Sequence, residues 1–319
     1  MRLLTGVQAS GDLHIGNYFG SIKAMVDAQN RDDVLIFIAN YHAMTTVQDG
    51  DRLRSLTRQT AIDFLSLGID PDRSTLWVQS DVKDVLELYW ILSSYTPMGL
   101  LERAHSYKDK SAKGISASHS LFSYPVLMAA DILLFNSDII PVGKDQIQHV
   151  EIARDIAIKF NNAHGDILRI PEFRVDSSVA TVPGIDGAKM SKSYGNTINI
   201  FDEPKKRLKS IKKIVTEVVP LEEPKEFEGC NVYNIARLFL DKEELRDLQT
   251  RYKTGLEGHG HFKLYLADVI ESYFAPFVEK REYYLSHLDE VDAILHNGAK
   301  KAKEISAKTM QKVKEVVGI

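Results

Sequence analysis

Apolar residues fall in short continuous runs through the first half of the chain and at helical spacing through the second. Leu3–Val7, Val34–Ala39, Leu76–Gln79 and Ile139–Val142 are mostly apolar runs of strand length, as strands buried on both faces require. Between them the period is helical, over about Ile15–Gln29, Asp51–Leu67, Val82–Ser94, Pro97–Arg103, Ser118–Phe135 and Asp145–Phe160. The second of these closes at Gly68-Ile69-Asp70-Pro71, a Gly-then-Pro stop. Such alternation predicts an α/β fold with a Rossmann-like doubly wound parallel sheet. Ligands of these sheets bind at the carboxyl ends of the strands. His14, Asn40, His42, Ser80 and Gly143 each follow a predicted strand, so one crevice can collect them. From Phe201 onward the pattern is helical only, broken at Pro204, Pro220, Pro224, Gly229 and Gly255 to Gly260. The expected division is a sheet domain over 1–195, a second, all-helical domain over 196–290, and a last helix over 291–319. That helix either packs back on the first domain or stays with the second.

Composition changes this picture little. At 319 residues, with 44% hydrophobic and 26% charged, the chain is long for one core and ordinary for a globular protein. The net charge of −4 argues against a nucleic-acid partner until its distribution is read. Lys205, Lys206, Arg207, Lys209, Lys212 and Lys213 form one basic run, and Lys300, Lys301, Lys303, Lys308, Lys312 and Lys314 another. They predict local basic faces on an acidic body, although solvated helix faces give the same pattern. The single cysteine, Cys230, excludes an internal disulfide and a cysteine-cluster metal site. No run reaches the ~18 apolar residues of a membrane span. The opening Met1-Arg2-Leu3-Leu4-Thr5 reads as a strand rather than a secretory signal, which leaves the cytoplasm as the default compartment.

Two short segments carry the chemistry. His14-Ile15-Gly16-Asn17 lies between the first strand and its helix, where free backbone N–H groups favour phosphate. Lys189-Met190-Ser191-Lys192-Ser193 sits in a loop with Gly184, Gly187 and Gly195; it offers two mobile point charges for departing phosphates and can close over a nucleotide. Together they suit attack of a carboxylate on the α-phosphorus of ATP. That reaction needs positioning and charge stabilisation more than a proton-transfer base. A third feature is the helical stripe Tyr124, Met128 and Asp131, at i, i+4 and i+7. Aromatic, thioether and carboxylate groups on one face suit a flat ring with an N–H at its edge. Taken alone, the same stripe fits a core helix with Asp131 as a cap or an ion-pair partner.

In this order the motifs resemble the bacterial-type tryptophan–tRNA ligases of the class I aminoacyl-tRNA synthetases. The resemblance rests on Gly6-Val7-Gln8-Ala9-Ser10-Gly11 running into His14-Ile15-Gly16-Asn17-Tyr18, on Tyr124-Pro125-Val126-Leu127-Met128-Ala129-Ala130-Asp131, on Pro141-Val142-Gly143-Lys144-Asp145-Gln146, and on Lys189 through Asn196. It spans essentially the whole chain. It implies an ATP site of Gln8, Ala9, Ser10, His14, Gly16, Asn17, Gly143, Lys144, Asp145, Lys189, Met190, Ser191, Lys192 and Ser193, with Lys110, Lys189 and Lys192 catalytic. It implies a tryptophan site of Leu4, Gly6, Ala39, His42, Tyr124, Met128, Asp131 and Gln146. ATP is expected with Mg2+, which the triphosphate implies, and tRNA(Trp) is expected to have its anticodon read by the helical domain. A homodimer is expected too, with the apolar helix around Tyr89-Trp90-Ile91-Leu92 and Tyr95 at its interface. Ala9 stands where such enzymes usually have Pro, and Lys144 where they often have Glu, a charge reversal beside the ATP site. Tyrosine activation, a shorter nucleotidyltransferase and a catalytically silent relative are the competing readings; the three lysines argue against the last. His259 and His261 read as a polar turn rather than a metal site.

Overall fold

The computed structural model describes residues 1–9, 11–104, 118–143, 146–174 and 182–319. The four runs predicted as strands, joined by a fifth, form one parallel sheet: β1 (Arg2–Val7), β2 (Asp33–Ile38), β3 (Ser74–Val78), β4 (Ile139–Pro141) and β5 (Glu172–Arg174), in the order β3-β2-β1-β4-β5. β1 is central; Leu3 is in register with Val34 on one side and with Ile139 on the other. The order reverses between β1 and β4, which opens the crevice of a doubly wound sheet at their carboxyl ends. β5 has no counterpart among the predicted strands. Its three residues are exposed and not apolar as a run, so only pairing with β4 makes them a strand.

Two of the longer helices between strands start at a capping side chain. Asp49 accepts from the Arg52 N–H ahead of α3 (Gly50–Ser66), and Ser118 from the Leu121 N–H ahead of α6 (His119–Leu134). The first helix, α1, is less regular than its period predicts. It runs as Ile15–Asn17, a π-helical turn Tyr18–Ile22, then Lys23–Ala28. One short helix, α2 (Asn40–Ala43), has no counterpart in the periodicity; it follows β2 directly. α4 (Asp84–Ser93) and α5 (Met98–Glu102) agree with expectation, and α7 (Ile147–His164) runs past the predicted end at Phe160.

After residue 200 the described chain is helical: α8 (Pro204–Lys212), α9 (Asn231–Ala236), α10 (Lys242–Thr254), α11 (His259–Ser286) and α12 (Leu288–Val317). His259 and Gly260 are the first turn of α11 rather than a separate turn, and His261 Nδ1 accepts from the Gly258 N–H to cap it. One buried cluster runs from Leu3, Ile15 and Ile36 through Ile198 and Ile211 to Val232, Phe262 and Phe274, so the helical part shares its core with one face of the sheet. Tyr18 of α1 meets Tyr273 and Phe274 edge to face at this joint, and Phe19 meets Phe239 in the same way. α12 returns to the sheet edge. A Cβ on Gly298 would lie 1.9 Å from the Leu76 carbonyl oxygen of β3, so only glycine allows that approach.

Candidate active site

The two loop segments are built into one another. Ile15 N–H donates to the Ile198 carbonyl at 3.0 Å, Ile200 N–H to that of Leu13 at 2.9 Å, and His14 bridges Asn199. A Cβ on Gly16 would meet the His14 ring at 2.9 Å and Met190 Cβ at 3.3 Å. Glycine there lets the two segments touch. Met190 is buried, and its N–H donates to the Val182 carbonyl. Asn196, also buried, shapes the lysine loop: its amide donates to Asp186 at 2.8 Å and to the Lys189 carbonyl at 3.1 Å, while its oxygen accepts from the Ser191 N–H at 2.7 Å.

His14 caps α1. Its Nδ1 accepts from the Asn17 N–H at 3.2 Å, and Asn17 Oδ1 accepts from the His14 N–H in return. A ring whose Nδ1 accepts carries its proton on Nε2. Burial first, and then the Lys192 charge, push the His14 pKa down to about 4. It is therefore a neutral hydrogen-bond donor at pH 7. Lys192 Nζ donates to the Gly11 carbonyl at 3.1 Å, on the same side as His14. Lys189 is exposed at a short antiparallel contact with Pro183, and Ser191 Oγ accepts from the Ser193 N–H. Gln8 is exposed at the end of β1, whereas the Ala9 methyl lies in the core and leaves only backbone for a ligand.

The second cluster lies beyond β2 and β3. Asp131 is 2% exposed. Gln79 Nε2 donates to both of its oxygens at 2.9 and 2.8 Å, and His42 Nε2 lies 2.9 Å from Oδ2. Gln79 is oriented in turn by the Tyr41 N–H, which donates to its Oε1 at 3.0 Å. Burial pushes the Asp131 carboxyl pKa up, and the His42 and Gln79 hydrogen bonds pull it back. Three of the roughly four acceptor positions of a carboxylate are thereby filled, leaving one. The Tyr124 hydroxyl lies 2.9 Å from His149 Nε2, and the His42 ring meets Tyr124 edge to face. Met128 is half-buried, and Gly6 is exposed at the β1 end, where a Cβ would meet the Phe37 ring at 2.5 Å. Leu4 and Ala39 are sealed in the core beneath. Asn40 and Ser80 bond reciprocally at 2.8 and 3.1 Å, tying the ends of β2 and β3 together. Gly143 is exposed beyond β4, and the Gln146 N–H donates to its carbonyl at 2.9 Å, just ahead of α7. Ser10, Lys110, Lys144 and Asp145 lie outside the described residues.

Gln79 and His149 escape a reading of the sequence. Gln79 ends an apolar run, the same cue that singles out Ser80, but it reads as the last residue of the strand. His149 carries no signal, since only the helix α7 brings it to Tyr124.

The arrangement is that of a class I nucleotide-activating enzyme: a parallel sheet, a histidine-capped first helix and a lysine loop bonded to it. The family model of "tRNA synthetases class I (W and Y)" matches residues 1–275, and the chain belongs to this family of ATP-dependent aminoacyl-tRNA ligases. Among its relatives, the tryptophan–tRNA ligase of Campylobacter jejuni (strain RM1221) is 60% identical over 319 residues, all of both chains. That of Fusobacterium nucleatum is 47% identical over all of this chain and 98% of its own. The crystal structure of the Campylobacter jejuni tryptophanyl-tRNA synthetase, complexed with ADP and tryptophane, superposes with a TM-score of 0.96 over 100% of both chains at 60% identity.

Proposed function

We propose that this chain is a tryptophan–tRNA ligase that forms tryptophanyl-adenylate and pyrophosphate from L-tryptophan and ATP, then transfers the tryptophanyl group to tRNA(Trp). The similarity to tryptophan–tRNA ligases along its full length carries this reading. In the first step a tryptophan carboxylate oxygen attacks the α-phosphorus in line, and the bond to the β-phosphate bridging oxygen breaks. His14 presents Nε2–H to a phosphate oxygen without adding charge, because burial keeps it neutral. Lys189 and Lys192 meet the charge that builds on the departing pyrophosphate, aided by Lys110. Asn17, the Gln8 to Ser10 turn and the Gly143 to Asp145 turn complete the nucleotide cradle. In the second step a terminal ribose hydroxyl of the tRNA attacks the carbonyl carbon and AMP leaves.

The indole lies against Met128 and the exposed Gly6, with His42, Tyr124 and Gln146 around it. Its N–H donates to the last acceptor position of Asp131, which Gln79 and His42 hold in place. Leu4 and Ala39 form the apolar floor. Among the described residues no group of His, Cys, Asp and Glu is placed to hold a metal. Mg2+ enters with the triphosphate, whose charge it neutralises. The sheet domain spans 1–195, the helical domain over 196–290 reads the anticodon, and 291–319 returns to the sheet. Lys205, Lys206, Lys212 and Lys213 are exposed on and after α8 for RNA phosphates, with Lys209 on the same helix. Arg207 is not among them: it is buried and bonded to the Ile200 carbonyl and Glu271. No described helix is long and apolar enough to cross a membrane. A tRNA substrate suits an enzyme of the cytoplasm.

The deciding experiment is amino-acid-dependent ATP–pyrophosphate exchange, run with each standard amino acid. Exchange with tryptophan alone is expected; exchange with tyrosine would keep the reaction and overturn the pocket. Replacing Lys189 and Lys192 together by Ala should depress exchange by about 100-fold or more, the order seen when charge stabilisation is removed, while tryptophan binding persists.

A further inference from the structure

Gln79 stands between the backbone of one element and the carboxylate of another. It follows the last residue of β3 and is 2% exposed, as is Asp131 on α6. A side-chain amide has one donor end and one acceptor end. The Tyr41 N–H of α2 donates to Gln79 Oε1 at 3.0 Å. The Nε2 end therefore faces Asp131 and donates to both of its oxygens, at 2.9 and 2.8 Å. Turning the amide over would set N–H against N–H on one side and oxygen against oxygen on the other. A main-chain donor thus dictates what Asp131 meets. His42, on the same helix as Tyr41, closes the other flank with Nε2 2.9 Å from Oδ2. With both oxygens held, the plane of the carboxylate and the direction of its remaining lone pair are fixed. A tie between β3 and α6 needs only apolar packing, and a buried polar group is costly unless it is fully paired.

We propose that Gln79 is a specificity-determining positioning residue: locked donor-side by the Tyr41 N–H, it holds Asp131 as an acceptor aimed at the ring N–H of the amino acid, so that the pocket selects rings carrying a donor at that edge. The proposal rests on the reading in which the indole N–H donates to Asp131. Gln79 acts through Asp131 rather than on the substrate. A ring with a donor fills the last acceptor position of the carboxylate. A ring of the same shape without one leaves that position buried and unpaired, and is rejected for that reason. Without the Gln79 amide, Asp131 keeps only His42 and is free to turn. Tryptophan then loses a well-aimed partner, whereas a ring with no donor loses nothing it had used.

The test compares L-tryptophan with its benzothienyl analogue, in which sulfur replaces the ring N–H. ATP–pyrophosphate exchange is measured with each on the full-length enzyme, on Gln79→Met and on Gln79→Asn. Met has a similar volume and no donor. Asn keeps an amide but is one methylene too short to reach the Tyr41 N–H and Asp131 together. The unsubstituted enzyme should prefer tryptophan by about 100-fold or more in kcat/KM, since sites built on a buried hydrogen bond reach ~10⁴–10⁵ at best. Each variant should cut that preference about tenfold or more, through the KM for tryptophan. The kcat/KM for the analogue and the KM for ATP should each change less than about threefold. Equal losses for the two amino acids would make Gln79 a structural tie only, and an unchanged preference would show that Asp131 needs no such partner; either overturns the proposal. If the unsubstituted enzyme uses both amino acids equally well, the contact between the indole and Asp131 fails, and the proposal with it. The two variants differ in polarity, so the outcome does not hang on one of them folding.

Discussion

At the scale of single residues, burial sets proton affinities that the sequence does not show. His14 holds its pKa at about 4 and Asp63 at about 6, in opposite directions from their ordinary values. Between about pH 4 and 6.5 the unfolded chain protonates His14 and the folded chain does not, so this residue makes stability rise with pH. Asp63 does the reverse. Between about pH 4 and 6 the folded state holds a proton that the unfolded state has lost, and stability falls as pH rises. The two slopes oppose each other across that window. Thermal melts from about pH 4 to 7 should therefore show a steeper rise for Asp63→Asn than for wild type, and a shallower rise or a fall for His14→Gln. Parallel curves for all three would contradict the burial of these groups. The type and place of His14 are legible in the sequence, but its neutrality is not. That neutrality follows from burial, to which the segment at Ile198 and Asn199 contributes, and from the nearby Lys192 charge, both of which come from far along the chain.

At the scale of elements, close backbone approach decides where helices sit. α12 lies on β3 because Gly298 has no side chain to strike Leu76. In an isolated helix Gly298→Ala would gain about 1 kcal/mol. Here the added methyl meets a carbonyl oxygen of the sheet, and overpacking costs about 1–3 kcal/mol or more. The clash wins, so Gly298→Ala should lower the melting temperature; an unchanged or raised value would show that α12 can lift from the sheet at little cost. The long strands and helices are legible from their periods. β5 is not, because three exposed residues carry no period and pair only when β4 is already in place.

At the scale of the whole molecule, the helix proposed as a dimer interface is mostly core. Val85, Leu88, Ile91 and Leu92 are buried, Tyr89 donates its hydroxyl to Ser123, and the Tyr95 hydroxyl meets His164. What remains outside is Trp90 at 74% exposure with Leu86 one turn before it and Met98 beyond. An exposed tryptophan flanked by apolar side chains suits a partner surface, and the proposed partner is a second copy of the chain. Sedimentation at micromolar concentration should give a dimer for wild type and a shift to monomer for Trp90→Asp. A wild-type monomer would leave Trp90 without this role.

The sequence by itself determined the alternating strands and helices, the two loop motifs and the Tyr124, Met128, Asp131 stripe. Each of these depends on residues close together in the chain, so local spacing and turn chemistry were enough to read them. Only the tertiary structure decided that Gln79 and His42 hold Asp131, that Asn196 sets the lysine loop and Gly16 admits it beside His14, and that Arg207 is buried rather than basic surface. These partners are far apart in the chain, and the energy of a buried polar group depends on which donors and charges the fold brings to it.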